Sequence, residues 1–394
     1  MALKKSLLAA TMLAAFVPAA LADEDKAITV ALTADPSVLD PQAGEELSSN
    51  IMFYHIYEPL VRRDANLEFG PGLAESWELV DDTTWRFDLR EGVTFHNGND
   101  FKANDVVYSF ERQSQDSSDM AFALASVASV TAVDDYTVEI TTAAPDPTLL
   151  LNMPNFYIVD EEYMEENDAF EVVAGAGMTN FANTNANGTG PFRLVEWVQD
   201  NRVVVEPFED HWNYDDRMHN LDRAVFTPIA NDATRVAAIL SGEIDAMYPV
   251  PLQDIPRLEG EAAVSVLQGP ELRTIFFGFD HHRDELLDMP GSGENPFKDR
   301  RVRQAIYQAI DIEAIRDRVM GGASRPTGIM VGPGINGYDA EIDERLPYDP
   351  DASRALLAEA GYPDGFSIGM DCPNDRYVND EEICLAVVGM LARV

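Results

Sequence analysis

Chemistry needs particular residue types at particular spacings, and this 394-residue sequence offers a series of near misses. A serine nucleophile belongs in G-x-S-x-G, a zinc pair in H-E-x-x-H and a nucleotide phosphate in G-x-x-x-x-G-K-[ST]; none of the three occurs. Gly188-Thr189-Gly190 opens like a dinucleotide loop, but Arg193 fills the third glycine position and Pro191 removes a backbone N–H that a phosphate cradle needs. It reads as a tight turn entering a strand over Phe192 to Trp197. Asp349, Asp351 and Ser353 begin like a calcium loop, yet position six lacks glycine and position twelve is Ala360, so a helix start accounts for them better. His281-His282 beside Asp280 and Asp284 could ligate a metal, but adjacent side chains diverge and a solvated turn is preferred. With 69 Asp plus Glu, carboxylate pairs at glycosidase spacing arise by chance. No catalytic residue, metal or cofactor is assigned.

The charge balance narrows the partners further. Only 28 Lys plus Arg oppose those acids, and a net charge of −41 repels phosphate backbones and anionic lipid headgroups, which excludes nucleic acid as a partner. So much acid is read as a solvated surface suited to a salty habitat. Lys4-Lys5, the uncharged stretch from Ser6 to Leu21 and the triplet Ala20-Leu21-Ala22 form a secretory signal peptide, cleaved after Ala22. Pro18 and the shortness of the run argue against a membrane anchor. No later stretch is long and apolar enough to span a bilayer. Cys372 and Cys384 then lie in an oxidising compartment. A disulfide between them would stiffen one loop at a helix start; two unpaired thiols are the alternative.

The elements that must position any site are mixed. A first strand is expected over residues 27 to 33, ending at Asp35-Pro36. Trp85, Phe87 and Leu89 alternate, Arg90-Glu91-Gly92 turns the chain, and Val93 and Phe95 resume, which predicts a hairpin. More alternation marks Tyr136, Val138 and Ile140, then Val203 and Val205. Helical periodicity follows from Arg235 to Leu240, and in one longer set through Val302, Ala305, Ile306, Ala309, Ile310 and Ile315. Asp349 as N-cap, Pro350 and Gly361 punctuate another helix. Ile383, Val387, Met390, Leu391 and Val394 make an apolar face reaching the last residue, a face in need of a partner, so a longer protein is expected. Trp77, Trp85, Trp197 and Trp212 are read as core residues.

Several blocks together resemble the family 5 extracellular solute-binding proteins, the peptide- and nickel-type receptors of bacterial ABC importers. They are Pro71 to Trp77, Trp85 to Gly98, Phe101 with Ala103 and Asp105-Val106-Val107, Gly188 to Phe192, Gly242 to Asp245, Asp299 to Ala305 with Ala309-Ile310-Asp311, and Tyr348 to Tyr362. The resemblance implies an α/β fold of the type II periplasmic-binding class, with two lobes, a hinge and an interlobe ligand cleft. It also implies residues 23–275 as the first lobe, with an inserted subdomain at about 66–185, and 276–394 as an incomplete second lobe. The crossover is placed near Leu272 to Asp280, where an apolar strand is expected, and the C-terminal return to the first lobe is taken as missing.

The same resemblance implies a periplasmic, monomeric receptor that captures a peptide or peptide-like small solute and delivers it to the transmembrane subunits of an ABC permease, without catalysis. A nickel chelate, an opine or a sugar derivative is the alternative ligand, and an exported hydrolase the alternative function. The loop after the first strand, Asp35, Pro36 and Ser37 with Ala34, is expected to line the cleft. Arg376, with Tyr377 beside it, sits where peptide-binding relatives carry an arginine for the ligand carboxylate. Its planar guanidinium suits that task; neutralising Asp375, Asp380, Glu381 and Glu382 is the other role open to it.

Overall fold

The structure is a computed structural model and describes residues 26–394 apart from 65, 176, 178, 270, 272, 288, 290–293 and 375. The signal segment lies outside the described residues. The strands are β1 (Ala27–Leu32), β2 (Val61–Arg63), β3 (Phe69–Pro71), β4 (Ala74–Leu79), β5 (Thr84–Leu89), β6 (Val127–Asp134), β7 (Thr137–Thr142), β8 (Phe192–Val198), β9 (Arg202–Pro207), β10 (Arg223–Pro228) and β11 (Ala246–Met247). The longer helices are α1 (Leu47–Ile56), α2 (Ala103–Gln113), α3 (Asp232–Ser241), α4 (Arg300–Ala309), α5 (Pro350–Glu359) and α6 (Asp380–Leu391).

β1 lies inside a five-stranded sheet of order β11-β1-β10-β9-β8 and runs parallel to both its neighbours. Parallel strands need a crossover, and α3 supplies it between β10 and β11. Asn231 starts that helix by accepting from the Thr234 N–H at 3.0 Å, and Gly242, at φ 76°, ends it. The second sheet, β4-β5-β7-β6, is antiparallel throughout. Its inner face buries Phe87, Val138 and Ile140 beside Val106 of α2. Burying a ring such as Phe87 contributes about 2–3 kcal/mol. The first sheet packs Val203, Val205 and Phe226 against Met52, Phe53 and Ile56 of α1. Two further clusters, one around Phe297, Val302 and Leu357 and one around Ile315, Ile383 and Val387, share no residue with those beneath the sheets.

The Asn-rich turn and the Gly-Thr-Gly turn hold the two sheets together. His96 Nε2 donates to the Gly190 carbonyl at 2.9 Å while its Nδ1 accepts from the Gly188 N–H at 3.4 Å. Asp160 Oδ2 accepts from the side-chain amides of Asn97, Asn99 and Asn187 at 2.8, 2.9 and 2.8 Å. Gly188 and Gly190 lie flush on the end of α1: a Cβ there would stand 2.0 Å from the Ile56 carbonyl oxygen and 2.5 Å from that of His55. Close backbone approach explains the glycines; the predicted tight turn leads into β8 as expected.

Three expectations are corrected. β5 pairs with β4 and β7, and Val93 and Phe95 are buried outside any strand because the Phe95 N–H turns back to the Asn99 carbonyl at 2.8 Å. The long periodic helix is broken after Ala309, where Asp311 starts a new turn by accepting from the Ala314 N–H at 3.0 Å. Residues 273–280 belong to no strand, and Leu272 lies outside the described residues. In the last helix, Ile383 and Val387 pack with Ile315 and Phe277.

Candidate functional site

In open α/β sheets, ligands gather outside the carboxyl ends of the parallel strands, where loops converge on exposed backbone. Here those ends belong to β1, β10 and β11, which lead into the segment 33–37, the turn 229–231 and Tyr248. The first of these is tightly held. Asp35 Oδ2 accepts from the Trp197 indole N–H at 2.9 Å and from the Asp200 N–H at 3.0 Å, while its Oδ1 is buried without a hydrogen-bond partner. Ser48 Oγ donates to the Asp35 carbonyl at 3.1 Å, Pro36 is buried, and the Ser37 N–H donates to Ser49 Oγ at 3.1 Å. Asp35 thus braces the loop against β8, and Ala34 and Ser37 are the residues it leaves exposed.

Beneath the neighbouring turn lies Arg235, only 1% exposed, donating to the Ile229 carbonyl at 2.6 Å and to Asp232 Oδ1 at 2.6 Å. Tyr248, half exposed, follows β11 and donates its N–H to the Ala31 carbonyl at 2.9 Å. The sequence reading passed over this ring. Its only signal was position, three residues after Gly242-Glu243-Ile244-Asp245 at the end of a short parallel strand.

In the second half of the chain, Cys372 and Cys384 form a disulfide that ties the segment before α6 to the first turns of that helix. Asp380 Oδ2 accepts from the N–H groups of Arg376 and Tyr377 at 2.8 and 3.3 Å. Its carboxylate therefore serves the backbone, and the exposed Arg376 guanidinium makes no ion pair with any described residue. Asp375 lies outside the described residues. Tyr377 is half buried against Ile315 and Val387, with the Arg273 guanidinium 5.8 Å from its ring. Burial first, then the Asp380 charge, raises its phenol pKa against the opposing effect of Arg376 and Arg273.

The predicted set therefore falls into two groups. Asp35, Pro36 and Ser37 share the first sheet's loop; Arg376 and Tyr377 share the disulfide-bounded loop. No hydrogen bond or ion pair among the described residues joins the groups. Among the described residues no group of three or more His, Cys, Asp or Glu is placed to hold a metal ion, and no helix is long and apolar enough to cross a membrane. The Asp280 carboxylate beside His281-His282 instead caps a turn, accepting from the N–H groups of His282 and Arg283.

Residues 68–394 match the bacterial extracellular solute-binding proteins, family 5, and the chain belongs to that family. Its fold is accordingly the two-lobed α/β fold of periplasmic binding proteins. The chain is 31% identical over 346 residues to heme-binding protein A of Haemophilus influenzae, covering 82% of this chain. It is 28% identical over 340 residues to the dipeptide-binding protein of Escherichia coli, covering 79%. In each case it spans 59% of the relative's length. Among solved structures it resembles the periplasmic binding protein DppA of Helicobacter pylori in complex with the peptide STSA, at a TM-score of 0.78 and 26% identity, over 93% of this chain and 72% of that one. It also resembles AgaA of A. tumefacien R10 in complex with agropinic acid, at a TM-score of 0.75 and 25% identity, over 93% and 70%.

Proposed function

We propose that this chain is the periplasmic binding component of an ABC importer, capturing a peptide or peptide-like small solute between two lobes and passing it unchanged to the permease. The reading assigns no catalytic step. It takes residues 23–275, with an insertion at about 66–185, as the first lobe and 276–394 as the second, and export through a signal peptide cleaved after Ala22. The observation that carries it is the pairing of a pinned loop at the carboxyl ends of three parallel strands with an exposed, unpaired arginine on a disulfide-bounded loop. Its likeness to a receptor solved with a bound peptide supports the choice of ligand class.

Binding energy in such a cleft comes from enclosing most of a small ligand while a few convergent polar groups fix its orientation. Closure is a hinge motion favoured by contacts made only when shut. Arg376 supplies two parallel N–H donors to a ligand carboxylate, Ser37 a hydroxyl and Tyr248 a flat apolar face. Calorimetric titration with a peptide library tests the ligand class: saturable heat with peptides bearing a free carboxylate supports it. Heat only with metal chelates or sugar acids would replace the peptide while leaving the receptor role standing.

A further inference from the structure

The opposite end of the first sheet holds a cavity of about 700 Å³, within the size range of small-molecule pockets. Phe192 opens β8 beside Pro207 at the end of β9, on the edge where β1 and β10 begin, so this cavity faces away from the Asp35 loop. Its walls are aromatic: Tyr57, Tyr157 and Phe192 are buried and Tyr54 is 65% exposed at the mouth. Arg62, Arg63 and Arg217 also line it, in a chain where acids far outnumber bases. None of the three makes an ion pair with a described carboxylate. Arg62 lies 5.9 Å from the Trp212 ring centre, Arg217 lies 3.9 Å from that of Tyr214, and Arg63 donates to the Leu151 carbonyl at 3.0 Å. Three acids share the lining. Glu58 accepts from Thr189 and Trp212, both at 3.1 Å, and Asp64 accepts from the N–H groups of Asn66 and Glu68 at 2.8 and 2.9 Å. Glu58 and Asp64 keep their charges, so three acids and three guanidinium groups balance formally, but the oxygens of those two acids are spent on neutral donors and no guanidinium is paired with an acid of the lining.

We propose that this cavity is a second small-molecule site, separate from the interlobe cleft, for an organic anion with a flat apolar body, its carboxylate on Arg62 and Arg217 and its body against Tyr54 and Tyr157. Arg217 Nη1 donates to the Tyr214 carbonyl at 2.9 Å, which leaves its other N–H groups, with those of Arg62, for a carboxylate, and aromatic walls favour a planar partner. The test is titration of the purified protein with N-acetyl-L-phenylalaninate, which lacks a free amine, and with the neutral N-acetyl-L-phenylalaninamide. The acid is expected to bind saturably and at least about tenfold more tightly than the amide. The double substitution Arg62→Gln/Arg217→Gln, at exposed positions, weakens the acid by a similar factor, and Tyr54→Ala weakens both probes. Equal binding of acid and amide, indifference to the double substitution, or no saturable binding at millimolar concentration would overturn the proposal. So would a loss of acid binding in Arg376→Ala, which would place the probe in the cleft.

Discussion

Arg112 grips Asp40 through both carboxylate oxygens, at 2.9 and 2.6 Å, with neither side chain exposed to solvent. The guanidinium also donates to Gln42 Oε1 at 2.7 Å and to the Ala169 carbonyl at 2.9 Å, so every edge of the fork is used. The pair ties the segment that follows β1, and with it the Asp35 to Ser37 loop, to α2. Breaking a buried pair strands the remaining charge. Arg112→Ala is expected to cost about 3–5 kcal/mol in urea unfolding, and Arg112→Met combined with Asp40→Leu much less than that. Equal losses in the two proteins would show that packing rather than the charge matters.

His96 makes stability depend on acid. Burial holds its imidazole at about 4, against the opposing hydrogen bond to Gly190, so the folded protein keeps it neutral while the unfolded chain takes up a proton near 6.5. Its contribution is complete above about pH 6.5 and is lost as pH falls toward 4, by roughly 3 kcal/mol. His96→Gln should therefore lose less stability than the parent protein between pH 7 and pH 4.5, measured by denaturant unfolding. Parallel pH curves would contradict this.

Asp105 acts in the opposite direction. Burial raises its carboxyl to about 7, outweighing the N–H groups of Glu161 and Lys102 that favour the charged form. The folded state thus holds a proton that the unfolded state has already released, and stability from this group falls as pH rises from 4 through 7. Asp105→Asn is expected to flatten that decline, and a slope unchanged from the parent protein would remove Asp105 from the account.

The Gly-Thr-Gly turn offers a steric test. Gly190→Ala places a Cβ against the carbonyls of His55 and Ile56 and is expected to destabilise by about 2–4 kcal/mol, whereas Gly70→Ala, with open space around it, changes stability by less than about 1 kcal/mol. Thermal unfolding of both substituted proteins decides it.

Arg376→Ala should weaken an anionic ligand by about 2 kcal/mol, roughly thirtyfold, because a charge-assisted pair in a closed cleft is lost. Reducing the Cys372–Cys384 bridge should weaken the same ligand by freeing the loop. Unchanged affinity in Arg376→Ala, read by calorimetry, would place the residue outside the cleft.

Local signals were legible and distant ones were not. Asp349-Pro350 and Gly361 announced α5 because caps and turns are decided within a few residues. The partner of β5 was misassigned because pairing is long-range: Trp85 meets Ile140, and Lys26 reaches Asp222. The bracing role of Asp35 depends on Trp197, and the second cavity draws on positions from Tyr54 to His219, so neither leaves a pattern along the chain. The Gly-Thr-Gly turn was placed correctly as an entry to β8, but its reason, contact with the end of α1, needs the folded structure.

The central claim is the capture and release of an intact small solute. Native mass spectrometry of the protein as purified, then after dialysis and re-addition of the recovered solute, tests it directly. A non-covalent adduct of one small molecule per chain is expected, with the same mass before and after the cycle. A solute altered in mass after incubation, or a protein that retains and rebinds none, would contradict it.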